Sequence, residues 1–135
     1  MSDPIHRLRF GPISPAAPGA LYEQIVAAVK REVAAGRLAP AERLPSVRGL
    51  AADLLVSVIT VKRAYEELER EGIVYSRQGL GAFLTDAGAD LLRAQQTQAA
   101  RAALRDAIAA GRKAGLADKD LMQMFKTQLG QGEEP

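Results

Sequence analysis

"DLLVSVITVKRAYEELEREG", residues 53 to 72, opens on a tight turn and closes on a glycine, with a helical pattern between them. Ser57 is placed to cap that helix, because a hydroxyl there accepts from the orphan backbone N–H groups of the first turn. An α-helix turns by about 100° per residue, so spacing alone sorts side chains onto faces. Val61, Ala64, Tyr65 and Leu68 follow the i, i+3, i+4, i+7 rule and form the expected buried stripe. Ile59, Arg63, Glu66 and Arg70 fall on the opposite side. Val58 lies at the edge of the stripe, and Thr60 and Lys62 flank it. The helix is expected to run to about Glu71, with Gly72 as a left-handed cap.

Upstream, Ser46 follows Pro45 and is a good N-cap for a shorter helix, "VRGLAADLL", residues 47 to 55. Gly49 inside it costs about 1 kcal/mol relative to alanine, which implies close packing at that point. "LLVS" is then the tight turn. Further back, "RLAPAERLPSV" is broken by two prolines. Before it, "LYEQIVAAVKREVAAG" places Leu21, Ile25, Ala28, Val29 and Glu32 or Val33 at helical spacing, with Gly36 as the stop. Downstream, "IVYS" and "AFLT" are short β-type runs flanking "RQGLG", a hairpin whose tip carries two glycines. Helix, helix, short turn, helix, hairpin is the order of a winged helix-turn-helix. The fold class is therefore mainly α with a small β-hairpin wing.

Three segments follow. Residues 1 to 20, with "GPISPAAPG" at 11 to 19, form an irregular leader with a short extended piece at Ile5 to Phe10. Residues 21 to 85 form the winged domain. Residues 86 to 135 form a helical dimerisation region with a frayed tail, "QGEEP". In it, "GADLLRAQQTQAARAALRDAIAAG" reads as one long helix ending at Gly111. "ADKDLMQMFKTQLG" reads as a second helix capped by Asp118. Leu104 and Ile108, with Leu121, Met122, Phe125 and Leu129, make a hydrophobic face that two helices cannot shield alone. It is expected to pack on a second copy or on the winged domain, and two-fold pairing gives a homodimer. Methionine-rich surfaces also adapt to ligands, so an effector pocket of unknown specificity is compatible with that interface.

Composition excludes several classes. The 135 residues contain no cysteine, which rules out disulfides, thiolate metal sites and a cysteine nucleophile. No run reaches the roughly 18–20 apolar residues of a membrane span. "MSDPIHRLRF" lacks the pattern of a signal peptide. The expected location is the cytoplasm. His6 is the sole histidine and is expected on the surface, and no acidic pair sits in an apolar setting. Neither a catalytic constellation nor a metal or cofactor site is expected. Net charge is only +2, and residues 21 to 85 hold nine Lys or Arg against eight Asp or Glu. A nucleic-acid partner would require the fold to concentrate basic groups on one face.

The long-stretch helix offers that face. Ile59 is expected to be exposed at its N-terminal end beside Thr60, Lys62 and Arg63. In helix-turn-helix proteins that end enters the major groove while basic side chains hold phosphates. An apolar side chain there can still read sequence, because thymine presents a methyl group. The competing reading has Ile59 packing on the first helix or on a partner protein. Lys62 and Arg63 could equally pair with Glu66 or Glu67 at i+4, and Arg48 with Asp53 or Glu42. "EELERE" lies in the later turns, as a solvated rim pointing away from a duplex. Tyr65 belongs to the core. At the hairpin tip Gly79 and Gly81 serve the turn itself, and Arg77 and Gln78 supply polar contacts.

"LYEQI" at 21 to 25, "GRLAPAERLPSVRGLA" at 36 to 51, "TVKRAYEELEREGI" at 60 to 73 and "SRQGLGAF" at 76 to 83 resemble the DNA-binding domain of the GntR family of bacterial transcription regulators. The short two-helix tail, too small for a ligand-sensing or pyridoxal-phosphate domain, is similar to that of the YtrA-type subfamily, whose members resemble small dimeric repressors. The resemblance implies double-stranded DNA as partner, a palindromic operator and no cofactor. By the same resemblance Arg48 matches a DNA-contacting arginine, Ser57 and Thr60 match polar positions of the recognition helix, and Lys62 a basic one. Gly79 matches the wing tip that approaches the minor groove, with Gln78 beside it. Ser46, Val58, Ile59, Arg63, Arg77 and Gly81 complete the candidate DNA-facing set. Many relatives carry arginine at the position of Val58, a polar residue at that of Ile59 and glycine at that of Leu55. Guanine-directed contacts are therefore not expected from Val58 or Ile59. The alternative function is a protein-interaction module that docks a partner through this apolar pair.

Overall fold

The computed structural model describes residues 13–16 and 19–132. Its elements in chain order are α1 (Leu21–Ala34), α2 (Val47–Leu54), α3 (Val58–Arg70), β1 (Val74–Arg77), β2 (Gly81–Leu84), α4 (Asp86–Lys113) and α5 (Asp118–Gly132). The chain forms two compact units, residues 1–96 and 97–135. The expected extended piece at Ile5 to Phe10, His6 and the last three residues of the tail lie outside the described residues.

The first unit is built on the two amphipathic stripes. Ile25, Ala28, Val29 and Val33 of α1 meet Val61, Ala64, Tyr65 and Leu68 of α3, with Leu38, Leu44, Leu50 and Ile73 closing the core. Every one of these side chains is buried, so the hydrophobic gain of each docks α1 on α3. Glu32 is buried on the same stripe and forms an ion pair with Arg37. Part of the leader is held as well: the Ser14 N–H donates to Gln24 Oε1 at 3.1 Å, and Gln24 Nε2 donates to Ser14 O at 2.9 Å.

α2 starts where Ser46 Oγ accepts from the Gly49 N–H at 3.0 Å. Gly49 is exposed, and a Cβ there would sit 2.8 Å from Ser46 Oγ. The close packing expected of Gly49 is thus against the cap rather than the core. α2 ends on Leu55 in the left-handed conformation, φ 58°, with its side chain 90% exposed. That conformation brings the Leu55 Cβ close to its own backbone at a cost of about 1–2 kcal/mol, which the glycine of many relatives avoids. Ser57 Oγ then accepts from the Thr60 N–H at 3.1 Å and opens α3.

β1 and β2 pair antiparallel with Val74 opposite Leu84 and Arg77 opposite Gly81, leaving Gln78, Gly79 and Leu80 at the tip. The strands reach one residue closer to the tip than "IVYS" and "AFLT" suggested. The proline-broken stretch holds a further feature. Arg43 bridges Phe83, the Leu44 N–H donates to Ala82 O at 2.8 Å, and the Leu84 N–H donates to Glu42 O at 3.1 Å. Residues 41–44 therefore line the free edge of β2.

α4 is fastened at its start. Thr85 Oγ1 accepts from the Gly88 N–H at 2.9 Å and donates to Gly72 O at 2.7 Å, and Ala89 and Leu92 are buried. The first compact unit therefore extends past residue 85 into this helix. The helix also passes through Gly111, where the sequence reading ended it, and stops before Gly115 at φ 84°. Gly111 instead leaves room for Leu121. Asp118 is the first residue of α5 rather than its cap. It accepts from Arg112 at 3.2 Å, while Asp120 accepts from the Ala117 N–H at 3.1 Å. In the second unit Leu104, Ile108, Met122, Met124, Phe125 and Leu129 are exposed.

Candidate nucleic-acid interface

The N-terminal turn of α3 projects from the core because its buried stripe begins only at Val61. Ile59 is 78% exposed and Val58 45% exposed. The hydroxyls of Ser57 and Thr60 lie 2.8 Å apart, so each already has one partner while staying near the surface. Lys62 is exposed and makes no hydrogen bond or ion pair among the described residues.

Arg63 is exposed, as its spacing indicated, and has a partner that the spacing did not reveal. Its Cζ lies 3.9 Å from the centroid of the Tyr22 ring on α1, a cation–π contact. It pairs with neither Glu66 nor Glu67 and is not a free cation on the helix surface. Glu67 pairs with Arg70 instead. Glu71 accepts from Lys30 of α1 at 2.7 Å, and Ser76 Oγ of β1 donates to Glu69 at 3.1 Å. "EELERE" is therefore more than a solvated rim, because it ties the end of α3 to α1 and β1. The hydrogen bond from Lys30, helped by Arg70, holds the Glu71 carboxyl below its ordinary range.

Tyr65 is core, as its spacing indicated. Its buried hydroxyl donates to Pro45 O at 2.7 Å, one residue before the α2 cap. Burial pushes its pKa well up, so it stays a neutral donor. Arg48 on α2 is exposed and pairs with neither Asp53 nor Glu42.

A groove of about 470 Å³ runs between the start of α2 and the wing, lined by Ser46, Tyr65, Arg77, Gln78, Gly79 and Arg43 among others. The Tyr75 and Phe83 rings stack across the strands at 5.5 Å, and Arg77 Cζ lies 5.7 Å from the Tyr75 ring. Gly79 and Gly81 both have positive φ, 77° and 112°, which a two-glycine tip supplies at little steric cost. Apart from Arg48 on the surface of α2 and Arg63 over Tyr22, the candidate residues fall into two groups. Ser57, Val58, Ile59, Thr60 and Lys62 share the end of α3, and Ser46, Arg77, Gln78, Gly79 and Gly81 border the groove. Arg43 was missed by the sequence reading. The exposed Arg43 beside the buried Leu44 marks an extended segment only once the structure is known.

Among the described residues there is no cluster of three metal-ligating side chains. Nor is any described helix long and apolar enough to cross a membrane.

The family model for bacterial regulatory proteins of the gntR family matches residues 21–84. The transcriptional regulator Rv1152 of Mycobacterium tuberculosis is 39% identical over 104 residues, covering 76% of this chain and 80% of that regulator. The chain belongs to the GntR family. The transcriptional repressor YtrA of Bacillus subtilis is also 39% identical, over 74 residues that cover 55% of this chain and 57% of that repressor. Among solved structures, the AraR DNA-binding domain in complex with operator ORX1 is similar with a TM-score of 0.53. That match is 26% identical and covers 59% of this chain and 99% of the AraR chain. This GntR protein is a DNA-binding transcription regulator with a winged helix-turn-helix, and it has YtrA-type relatives.

Proposed function

We propose that this GntR regulator is a cytoplasmic, dimeric repressor that occupies a palindromic operator and blocks promoter access, without enzymatic activity or cofactor. One observation carries the residue-level reading. At the start of the recognition helix an apolar side chain, Ile59, is largely exposed next to the unpartnered cation Lys62. Ile59, backed by Val58, reads a thymine methyl in the major groove. Lys62 and Arg48 hold phosphates, with Ser46, Ser57 and Thr60 as neutral donors. Gln78 and Arg77 at the wing, carried by Gly79 and Gly81, approach the minor groove. Arg63 acts from its seat on Tyr22, as part of the α1–α3 surface.

The dimer reading is supported by the apolar face of Leu104, Ile108, Met122, Phe125 and Leu129, which is exposed in the single chain. Pairing through it presents two α3 helices to half-sites about one DNA turn, or a multiple of it, apart. Met122 gives that face an adaptable side chain, compatible with a small effector. Selection from random duplex DNA tests the whole reading. The expected product is a two-fold-symmetric sequence with thymine fixed at one position of each half, bound more weakly as salt rises. Failure to enrich any sequence would instead favour a protein-docking module.

A further inference from the structure

Arg43 lies outside the recognition helix and outside the wing, yet the fold fixes it between them. Its backbone is pinned to β2 by the bridge to Phe83 and by the Leu44 N–H donating to Ala82 O at 2.8 Å. Its side-chain stem lies on Gly81. A Cβ added there would meet Arg43 Cδ at 3.3 Å and Cγ at 3.5 Å, so glycine at 81 leaves the bed on which the stem rests. The guanidinium end is exposed and forms no ion pair or hydrogen bond among the described residues. It lines the same groove as Ser46, Arg77, Gln78 and Gly79. A cation whose stem is immobilised by packing, and whose charged end has no internal partner, loses little freedom when it meets an anion.

We infer that Arg43 is an additional phosphate-contacting residue, holding the DNA backbone where it passes between α2 and the wing. The inference rests on the proposed DNA-facing side and deepens it. A phosphate contact sets position and affinity but carries no base information. Its loss should therefore weaken all sequences alike.

Arg43→Met tests this, since methionine keeps an apolar stem over Gly81 and removes the charge. Binding of a duplex enriched from random sequence is measured across a salt series for the parent, Arg43→Met, Arg43→Lys and Lys62→Ala. Each phosphate neutralised contributes about 0.9 to the slope of log affinity against log salt, or about eightfold in affinity at 0.1 M salt, so the two Arg43 side chains of the proposed dimer supply a slope of about 1.8 and about 60-fold. Arg43→Met is expected to lose both, to keep the parent's sequence preference and its thermal midpoint, and to have its slope restored in Arg43→Lys. An unchanged slope in Arg43→Met, with a reduced one in Lys62→Ala, overturns the inference and leaves the face intact. Unchanged slopes in both variants overturn the proposed face together with it. A change of sequence preference in Arg43→Met would place the residue on base edges and overturn it as a backbone contact.

Discussion

Replacing Ile59 with alanine should weaken operator binding without touching the fold, and the size of the loss can be worked from its exposure. The substitution removes three carbons. Each buried carbon of this kind is worth about 0.8 kcal/mol, so complete transfer from water to an apolar contact gives about 2.4 kcal/mol. With 78% of the residue exposed before binding, the part available to DNA is about 1.9 kcal/mol. At 1.4 kcal/mol per factor of ten this is about 20-fold per half-site. Exchanging the contacted thymine for deoxyuridine removes a single methyl, about 0.8 kcal/mol or fourfold. The assay is a four-way cycle of parent and Ile59→Ala protein against thymine and deoxyuridine duplexes, by fluorescence anisotropy at fixed salt. If the two groups touch, deoxyuridine should cost the parent about fourfold and the alanine variant almost nothing. Equal losses in both proteins would show that Ile59 does not read the methyl, whatever the affinity of the variant.

Three further predictions concern the scaffold that aims these residues. Gly88→Ala places a Cβ 2.7 Å from the Ile73 Cα, where neither backbone can yield. Overpacking near the upper end of its usual ~3 kcal/mol outweighs the ~1 kcal/mol of helix propensity gained. The thermal midpoint should therefore fall by roughly 8–16 °C, and a rise would contradict the contact. Tyr65→Phe leaves the buried Pro45 carbonyl without its donor and should cost about 1–3 kcal/mol in urea unfolding. A loss below that range would mean that water replaces the hydroxyl. Lys30→Met removes the main cause of the lowered Glu71 pKa. Since that pair is about one-third exposed, the effect should stay below ~1 kcal/mol. It should be full above pH 4.5, the ordinary carboxyl value, and vanish as the pH falls through the lowered one. Stability curves of the two proteins that stay parallel through acid would contradict the linkage.

The recognition helix was legible because its information is local. Four apolar positions at helical spacing, Ser57 before them and Gly72 after them fix its face and both ends. Arg63 was placed on the correct side of the helix, but its partner Tyr22 lies 41 positions earlier, beyond the reach of any spacing rule. The same holds for residues 41–44, whose pairing with β2 joins segments about 40 positions apart. Two prolines nearby made that stretch look like a simple break. Gly111 misled for a different reason. A glycine near a helix end has two uses, as a left-handed cap or as space for a neighbour, and only Leu121 in three dimensions decides between them. The acidic run was read from its charge alone, whereas Lys30 and Ser76 hold two of its members in place.

The third segment along β2 changes when the wing acquires its order. A two-stranded hairpin alone is marginal in water and would have to be organised by whatever it met. With residues 41–44 hydrogen-bonded along its second edge, this hairpin is organised during folding, and the conformational entropy of the wing is lost before association rather than during it. An amide-to-ester replacement at Leu44, which deletes the N–H donated to Ala82 O and keeps the buried side chain, should then show up in titration calorimetry as a more unfavourable entropy of association. A position far from the wing in sequence would thereby set how ready the wing is to meet its partner.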